Sequence, residues 1–541
     1  MNAERISRIV RQRSLLMEKE FNDVGTCVPR RHYMADTSEK IEAIIRMIEK
    51  GKYFTINRPR QFGKTTTLSL LMKRLFATET YLPLRISFEG LTTESYSSQQ
   101  RFLDGFCFLV RRFFRVHHLE NLLHYTEEQG RLETFEQLSS FMSGLCSASG
   151  RQVVLMIDEV DKSSNNQLFL DFLALLRIKY LDRSEDLDIT FHSVILAGVH
   201  DVKTLKAKIR PDEERKYNSL WNIAADFKVD LSFAPREIET MLQDYTREKG
   251  IRPDIPAIAQ RLYYYTSGYP YLVSKLCKFI DEDIVTQREE QNWSVADVEE
   301  AFRMIADEGY TTTLLDSLIK NLENNPKLYE LITQIVINGE SLPFTITNPV
   351  INLGHLYGML VPSERGRCQI HNRIFEQRMY AHIMSGLLQT AYREVNGFSG
   401  PEFYTAEGLD VGLILRRFQT FMKEHHSNRE DRFLEREGRL LFLSYLRPII
   451  NGRGFDFKEP NVADERRMDI VVTYQQKRHV IELKIWRGNA YHQKGLKQLS
   501  DYLDTYSLKE GYLLIYDFNK NKEYRQEQIT FRDKQIFAVW V

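Results

Sequence analysis

Two groups of residues have spacings that chemistry can use. The first lies in YFTINRPRQFGKTTTLSLLMKRLF, residues 53–76. A β-capable run gives way to a loop, and Gly63-Lys64-Thr65 opens a helix with Leu68, Leu71, Met72, Leu75 and Phe76 on its apolar side. Strand, loop and helix in that order cradle phosphate. The backbone N–H groups of Arg60, Gln61, Phe62, Gly63 and Thr66 converge on a polyphosphate, Lys64 reaches the β- and γ-oxygens, and the Thr65 hydroxyl holds Mg²⁺. The pattern G-x-x-x-x-G-K-[ST] fails at its first glycine, which is Arg58, so on these residues alone a chance GKT at a helix start stays open. The stretch RQVVLMIDEVD, 151–161, adds the missing half. Its apolar run, 153–157, reads as a strand buried on both faces and ends in Asp158-Glu159. Acids there fit Asp158 as a second Mg²⁺ ligand and Glu159 as the group that polarises an attacking water. The plainer alternative is a strand end emerging into solvent.

The second group is Asp469, Glu482 and Lys484, in RMDIVVTY, a QQKR turn and HVIELKIW. If the turn centres on Gln475 and Gln476, Asp469 lies opposite Glu482; a slip by two puts it opposite Lys484, which shares the Glu482 face. Two carboxylates and the Leu483 carbonyl are hard oxygen ligands for Mg²⁺, or Mn²⁺ in its place, with Lys484 placed to orient or deprotonate a water. A surface hairpin with a Glu–Lys salt bridge is the alternative reading.

These groups must be positioned by more than one core, because 541 residues exceed a single domain. Lys plus Arg equals Asp plus Glu, 74 each, so any nucleic-acid surface must be local. Five dispersed cysteines with no C-x-x-C pair exclude a sequence-visible zinc site and fit a reducing cytoplasm. The absence of a long apolar run or signal-peptide core points to a cytoplasmic protein without a membrane span.

Along the chain, 1–35 reads as an arm to which no chemistry is assigned. A helix with Ile41, Ile44, Ile45 and Ile48 on one face ends at Gly51. Strands are expected at 84–88, 189–199 and 228–231, and the Phe-rich segment 102–116 as core packing. His200, at a strand tip, is placed to touch a γ-phosphate, and Arg210 or Arg215 could serve as an arginine finger, though each also fits a solvated loop. Residues 321–385 read as helices followed by a β-hairpin around Ser-Glu-Arg-Gly, with Leu328, Leu331, Ile332 and Ile335 on one helical face. That winged-helix pattern lacks Lys or Arg in its second helix, NPVINLGHLY, and so suits a coupling module better than a DNA reader.

RPRQFGKTT, VVLMIDEVD, LAGVHDVK, WNIAADFKVD and TSGYPYLVSKLCKFI together resemble the bacterial AAA-like, STAND-related ATPases whose phosphate loop begins Arg-Pro-Arg. The resemblance covers about residues 30–320; it makes Arg58 usual and implies that Pro270, in Gly268-Tyr269-Pro270, starts a lid helix lying against the base. From about 430 to 520 the chain resembles the PD-(D/E)XK nucleases of the RecB-like kind. The carry-over gives Asp469 in Met-Asp where Pro-Asp is usual, Glu482 and Lys484 in the E-x-K, Gln498 in QLSDY as the Q-x-x-x-Y glutamine, and Glu435, with Glu437 as substitute, as the helix acid.

The expectation is therefore an α/β chain: a parallel-sheet P-loop ATPase core with a helical lid and a winged-helix-like module, then an α/β PD-(D/E)XK nuclease domain. Its divisions are the arm 1–35, the core 36–233, the lid 234–320, the module 321–385, a linker 386–427 broken at GFSGP, and the nuclease-like domain 428–541. The function this implies is an ATP- and Mg²⁺-using nuclease, acting on DNA sooner than RNA, that forms homo-oligomers and serves bacterial genome defence. A signalling or scaffold ATPase whose nuclease-like domain only binds is the alternative, and a substrate-threading motor a third.

Overall fold

The computed structural model describes residues 18–163, 166–199, 221–306, 309–337, 340–391, 401–405, 408–425, 435–450, 454–458, 470–474, 477–486, 488–505, 507–519 and 522–541. They form two compact units. One takes in the described residues up to Tyr310 together with Asn352–Leu360; the other is Thr311–Ile351 with Val361–Val541.

The first unit is built on four parallel strands, β1 (Tyr53–Asn57), β2 (Tyr81–Ser87), β3 (Gln152–Asp158) and β4 (Ser193–Gly198), in the order β1-β4-β3-β2. Their apolar runs are buried on both faces, as parallel strands between helices require. The helices are α1 (Ser38–Glu49), α2 (Lys64–Phe76), α3 (Gln99–Val116), α4 (Glu120–Glu128), α5 (Phe135–Ser149) and α6 (Gln167–Ser184). The phenylalanines of α3 at 102, 106, 113 and 114 enter this core, as their spacing predicts. Register aligns the carboxyl ends: Asn57 lies beside Gly198, and Ser87 beside Asp158.

Three strand expectations need correction. The strand at 84–88 begins earlier, at Tyr81, and ends at Ser87 in a 3-10 turn, Phe88–Gly90. Of 189–199 only Ser193–Gly198 is strand. Residues 228–231 form no strand; Ala225 makes a single parallel bridge to Phe54 instead. The reason is that side chains occupy this segment. Phe227 stacks on Phe54 at 5.8 Å, and the Arg58 guanidinium donates to the Val229 carbonyl at 2.7 Å, taking the place of a ladder.

Four helices follow: α7 (Pro235–Lys249), α8 (Ile255–Thr266), α9 (Pro270–Phe279) and α10 (Val295–Ala306). The N-terminal arm is woven into them. Phe21 sits among Tyr33, Tyr245 and Trp293, with ring centroids 4.9, 5.1 and 5.7 Å away. The Asp23 carboxylate lies between Lys275 at 2.8 Å and Lys278 at 2.9 Å, both on α9.

Next along the chain come α11 (Thr313–Glu323), α12 (Pro326–Val336), α13 (Pro349–Leu356), the short pair β5 (Leu360–Pro362) and β6 (Cys368–Ile370), and α14 (Arg373–Ala391), of which Asn352–Leu360 belongs to the first unit and the rest to the second. The buried face of α12 is Leu328, Ile332 and Val336, not the stripe through Leu331 and Ile335. A two-residue pair, β7 (Tyr404–Thr405) and β8 (Gly408–Leu409), leads to α15 (Val411–His425) and α16 (Glu435–Ile450). Six strands close the chain, with α17 (Asn489–Thr505) between β11 and β12: β9 (Gly454–Lys458), β10 (Ile470–Tyr474), β11 (Lys477–Ile485), β12 (Glu510–Tyr516), β13 (Gln526–Phe531) and β14 (Lys534–Trp540). Their order is β13-β14-β12-β11-β10-β9, parallel at β11-β12 and β12-β14 and antiparallel elsewhere. Where a linker is expected, α15 instead buries Val411, Ile414, Leu415 and Phe418, and Gln419 donates to the Trp540 carbonyl at 2.7 Å. Gly397 to Gly400 of the expected break lie outside the described residues. Among the described residues no helix is long and apolar enough to cross a membrane.

Two measurements check this architecture. A Cβ at Gly268, where φ is 71°, would lie 2.0 Å from the Phe233 carbonyl oxygen, whereas at Gly250, also at 71°, it would meet nothing within 4 Å. Urea denaturation is expected to give a cost of roughly 1–2 kcal/mol for Gly250→Ala, the left-handed strain alone, and more than about 3 kcal/mol for Gly268→Ala, where backbone must also move. Burial raises the Asp23 carboxyl, but its two lysines outweigh that and hold it below the usual range. A depressed folded-state value stabilises above the ordinary carboxylate value and is lost as pH falls through the folded one. Hydrogen exchange of residues 21–33 should therefore quicken below about pH 4, and Asp23→Asn should show the quick exchange at neutral pH.

Candidate functional site

The phosphate-type loop is held open by its own side chains. Gly63, at φ 78°, caps α2 in the left-handed region, and Thr67 N–H donates back to its carbonyl at 2.8 Å. Lys64, only 7% exposed, donates through Nζ to the carbonyls of Arg58 and Pro59, both at 2.8 Å. Burial pulls its ammonium pKa down, while Asp161, Glu159 and Asp158 act to raise it. Arg58 keeps an ordinary negative φ and turns outward, donating to the Asn57 and Val229 carbonyls and lying 5.3 Å over the Phe227 ring. The place of the first glycine thus demands neither a left-handed backbone nor a missing side chain.

At the end of β3, Asp158 is 2% exposed and accepts from the Glu159 N–H at 3.1 Å and from Arg85 at 3.3 Å. Arg85, a lone charge in the apolar strand β2, is a member of the site that sequence reasoning missed; its signal was the arginine within LRISF. Glu159 has φ 56°, a strained value for a non-glycine residue, and strain of this kind gathers where geometry matters for chemistry. Burial, then the neighbouring Asp158 charge, push its carboxyl pKa up. Asp161 accepts from Val199 N–H at 2.6 Å and so fixes the β4 tip. His200, Arg210 and Arg215 lie outside the described residues.

The lid helix touches the loop. Pro270 starts α9, and its Cγ would be 3.8 Å from a Cβ on Gly63. Tyr269, fully buried, donates its phenol to the Arg60 carbonyl and packs edge-on against Phe62 at 4.7 Å. Gln61, at φ 54°, is exposed at the loop tip. Thr65 is half-buried, and the Thr66 hydroxyl accepts from the Cys27 N–H at 3.2 Å, so the arm also reaches the loop. Nothing local in the sequence of Tyr269 or Cys27 signals these contacts.

In the second unit the β10–β11 register runs from Tyr474 opposite Lys477 to Ile470 opposite Ile481, as a turn centred on Gln475 and Gln476 requires. Asp469 lies outside the described residues, as do the side chains of Glu435 and Glu437 on α16. Glu482 is fully buried, Lys484 is 7% exposed, and Lys484 Nζ stands 2.6 Å from Glu482 Oε1. Both are on the face that α17 covers: a Cβ on Gly495 would lie 3.5 Å from Lys484 Cγ. Gln498 and Tyr502, also buried, follow Gly495 at helical spacing on one stripe with Leu499. Leu483 points to the opposite face and is fully buried. Among the described residues no three His, Cys, Asp or Glu side chains cluster as metal ligands.

Several solved structures are similar. The Walker-type ATPase PABY2304 of Pyrococcus abyssi is 10% identical, covering 66% of this chain and 99% of its own, with a TM-score of 0.46. The ORC2 protein of Aeropyrum pernix, in ADPNP–ADP complexes, is 13% identical over 68% of this chain and 97% of its own, with a TM-score of 0.38. The RuvB Holliday junction branch migration motor of Thermotoga maritima is 13% identical over 64% and 95%, with a TM-score of 0.32. Comparison with curated proteins gives no match. The model of the AAA-like domain, in contrast, matches residues 29–377, which run from the arm through the loop, lid and β5–β6 pair, and the chain belongs to that AAA-like family.

Proposed function

We propose that the chain is an ATP-hydrolysing, metal-dependent nuclease in which the nucleotide state sets assembly or activity of the C-terminal site. The observation that carries the second half is the wholly buried Glu482 with Lys484 Nζ at 2.6 Å on the α17 face of β11. A charged pair is costly inside a sheet, and a binding or catalytic use explains its retention.

In the first unit, the α2 start offers N–H donors of Arg60 to Thr66 and the buried ammonium of Lys64, a donor set that fits a triphosphate. Thr65 and Asp158 are the oxygens that suit Mg²⁺, and the ion supplies positive charge against the phosphate oxygens. Glu159, whose raised pKa suits a base, takes a proton from the attacking water. Pro270, and His200, which follows β4 in the sequence, complete the nucleotide contacts in this reading.

In the second unit we read residues 428–541 as the PD-(D/E)XK-type domain. Asp469, Glu482 and the Leu483 carbonyl are the hard ligands for Mg²⁺ or Mn²⁺. Lys484 orients the water that attacks the phosphodiester, Gln498 on α17 assists it, and Glu435, or Glu437, is the acid from α16. The substrate is DNA in preference to RNA, the working form a homo-oligomer in the cytoplasm, and the setting bacterial genome defence. The direct Lys484–Glu482 pair also favours a second reading, in which the domain binds nucleic acid or protein without cutting, because the lysine already offsets the charge of the carboxylate.

Lys64→Ala should abolish nucleotide binding, and Glu159→Gln should keep binding while lowering hydrolysis by about 10²- to 10⁴-fold. With plasmid, ATP and Mg²⁺ or Mn²⁺, the wild type is expected to cut and Asp469→Ala and Lys484→Ala are not. Equal cutting by all three rejects the catalytic assignment, and metal-dependent binding without cutting supports the second reading. Because Glu482 and Lys484 are buried, Lys484→Ala should cost about 3–5 kcal/mol, and the isosteric pair Glu482→Gln with Lys484→Met much less. Chemical denaturation separates that loss from loss of chemistry.

A further inference from the structure

A cavity of about 470 Å³ opens on the first unit where α3 meets the end of α4 and the turn after it. None of the loop, β3 or lid residues described above lines it. Arg111, Arg112 and Arg115 come from α3 and Arg131 from the turn, against a single aspartate and a single glutamate, Asp104 and Glu127. The lining thus carries two positive charges in excess, on a chain whose charges balance at 74 each.

The partners of these arginines account for half of them. Arg131 is neutralised by Asp104 in a two-point pair, at 3.2 and 2.7 Å. Arg115 stands 3.9 Å from Glu127 with both side chains exposed, an arrangement that contributes little. Arg111 is fixed by neutral groups: its Nη2 donates to the carbonyls of Thr126 at 2.6 Å and Gly130 at 3.0 Å, and its Nε is buried without an acceptor. The backbone places that guanidinium and leaves its charge uncancelled. Arg112 is exposed and makes no ion pair among the described residues. One turn earlier on the same face, Phe108 is 59% exposed, the most exposed phenylalanine of the described residues. The spacing from 108 to 111 and 112 puts Phe108 on the same helix face as both arginines, and all three line the cavity.

Fixed positive charge around an open aromatic face suits a chain of phosphates with unpaired bases. We infer that this cavity binds a segment of single-stranded nucleic acid, with phosphates on Arg111, Arg112 and Arg115 and a base stacked on Phe108. A duplex hides its base faces by stacking, and an acidic peptide has no use for the ring. The site stands apart from the reading of the Glu482–Lys484 pair, and each can fail while the other holds.

The test is fluorescence anisotropy of a labelled poly(dT) strand with the full chain in EDTA, where no cutting interferes. Reversing Arg112→Glu and Arg115→Glu together should weaken binding at least tenfold and lower the slope of log Kd against log salt by about 1–2. Phe108→Ala should weaken poly(dT) about tenfold and leave inorganic polyphosphate binding unchanged. The same charge change at exposed Arg74 and Arg151 should alter neither. Unchanged binding in the first two variants, or equal loss in the Arg74 and Arg151 control, overturns the inference. Equal competition by poly-glutamate reassigns the cavity to an acidic protein segment, and tighter binding of duplex unaffected by Phe108→Ala removes the stacked base. If circular dichroism shows the charge reversal misfolded, Arg112→Gln replaces it, with about a threefold loss expected for one phosphate contact and no loss refuting the site.

Discussion

A positive charge buried at the mouth of a parallel sheet has to be satisfied without being cancelled. Lys64 meets that constraint through two carbonyl oxygens of its own loop, which accept its protons but carry no net charge. Those oxygens serve only while the loop keeps its shape. Arg58 anchors one side of it to the Val229 carbonyl, and the Tyr269 phenol anchors the other through the carbonyl of Arg60. An arginine in place of the first glycine is therefore a fastening, and the segment it fastens gives up its strand to receive it.

The pair in the second unit answers a similar constraint in the opposite way. Lys484 and Glu482 cancel each other directly, and the aliphatic stem of the lysine is roofed by α17 at Gly495, where a Cβ would make ordinary contact with it at 3.5 Å. Cancellation makes the fold less costly and the site less ready: any cation drawn to Glu482 must compete with an ammonium already at 2.6 Å. On the proposed reading, Lys484 has to swing away as metal and substrate arrive, which would free it to meet a water. On the scaffold reading it never moves.

What the sequence disclosed follows from the range of the interactions involved. β1, α2 and β3 were legible because a continuous apolar run, a glycine and a cap act within a few residues. The β10–β11 register was legible because a two-residue turn fixes every pair beyond it. Arg85 beside Asp158, Tyr269 beside Arg60 and Asp23 between two lysines join positions far apart in the chain, and nothing local marks them. The segment 228–231 has strand composition, yet its backbone partners are taken by a side chain. The stripe through Leu331 and Ile335 failed by one step of helical phase, since α12 buries Val336 in place of Ile335. The α15 helix read as part of a linker, and only the sheet beside it, where Gln419 meets the Trp540 carbonyl, shows which face is covered.

The contacts around the loop close into a ring. The loop is bonded to the start of α9 through Tyr269; α9 holds Asp23 of the arm through Lys275 and Lys278; and the arm returns to α2 where the Cys27 N–H meets the Thr66 hydroxyl. Three segments distant in sequence are thus fixed against one another by few bonds, all near the place where phosphate would sit. A ligand shifts such a ring only by preferring one arrangement over another. Thr66 is the sharpest lever, because its hydroxyl and N–H belong to the residue at which the arm arrives. Any rearrangement of the α2 start that draws on Thr66 must weaken or strengthen the Cys27 bond, and Asp23 then carries the difference to α9. The arm, to which the sequence assigned no chemistry, thus makes a second connection between the α2 start and α9, beside the direct one through Tyr269.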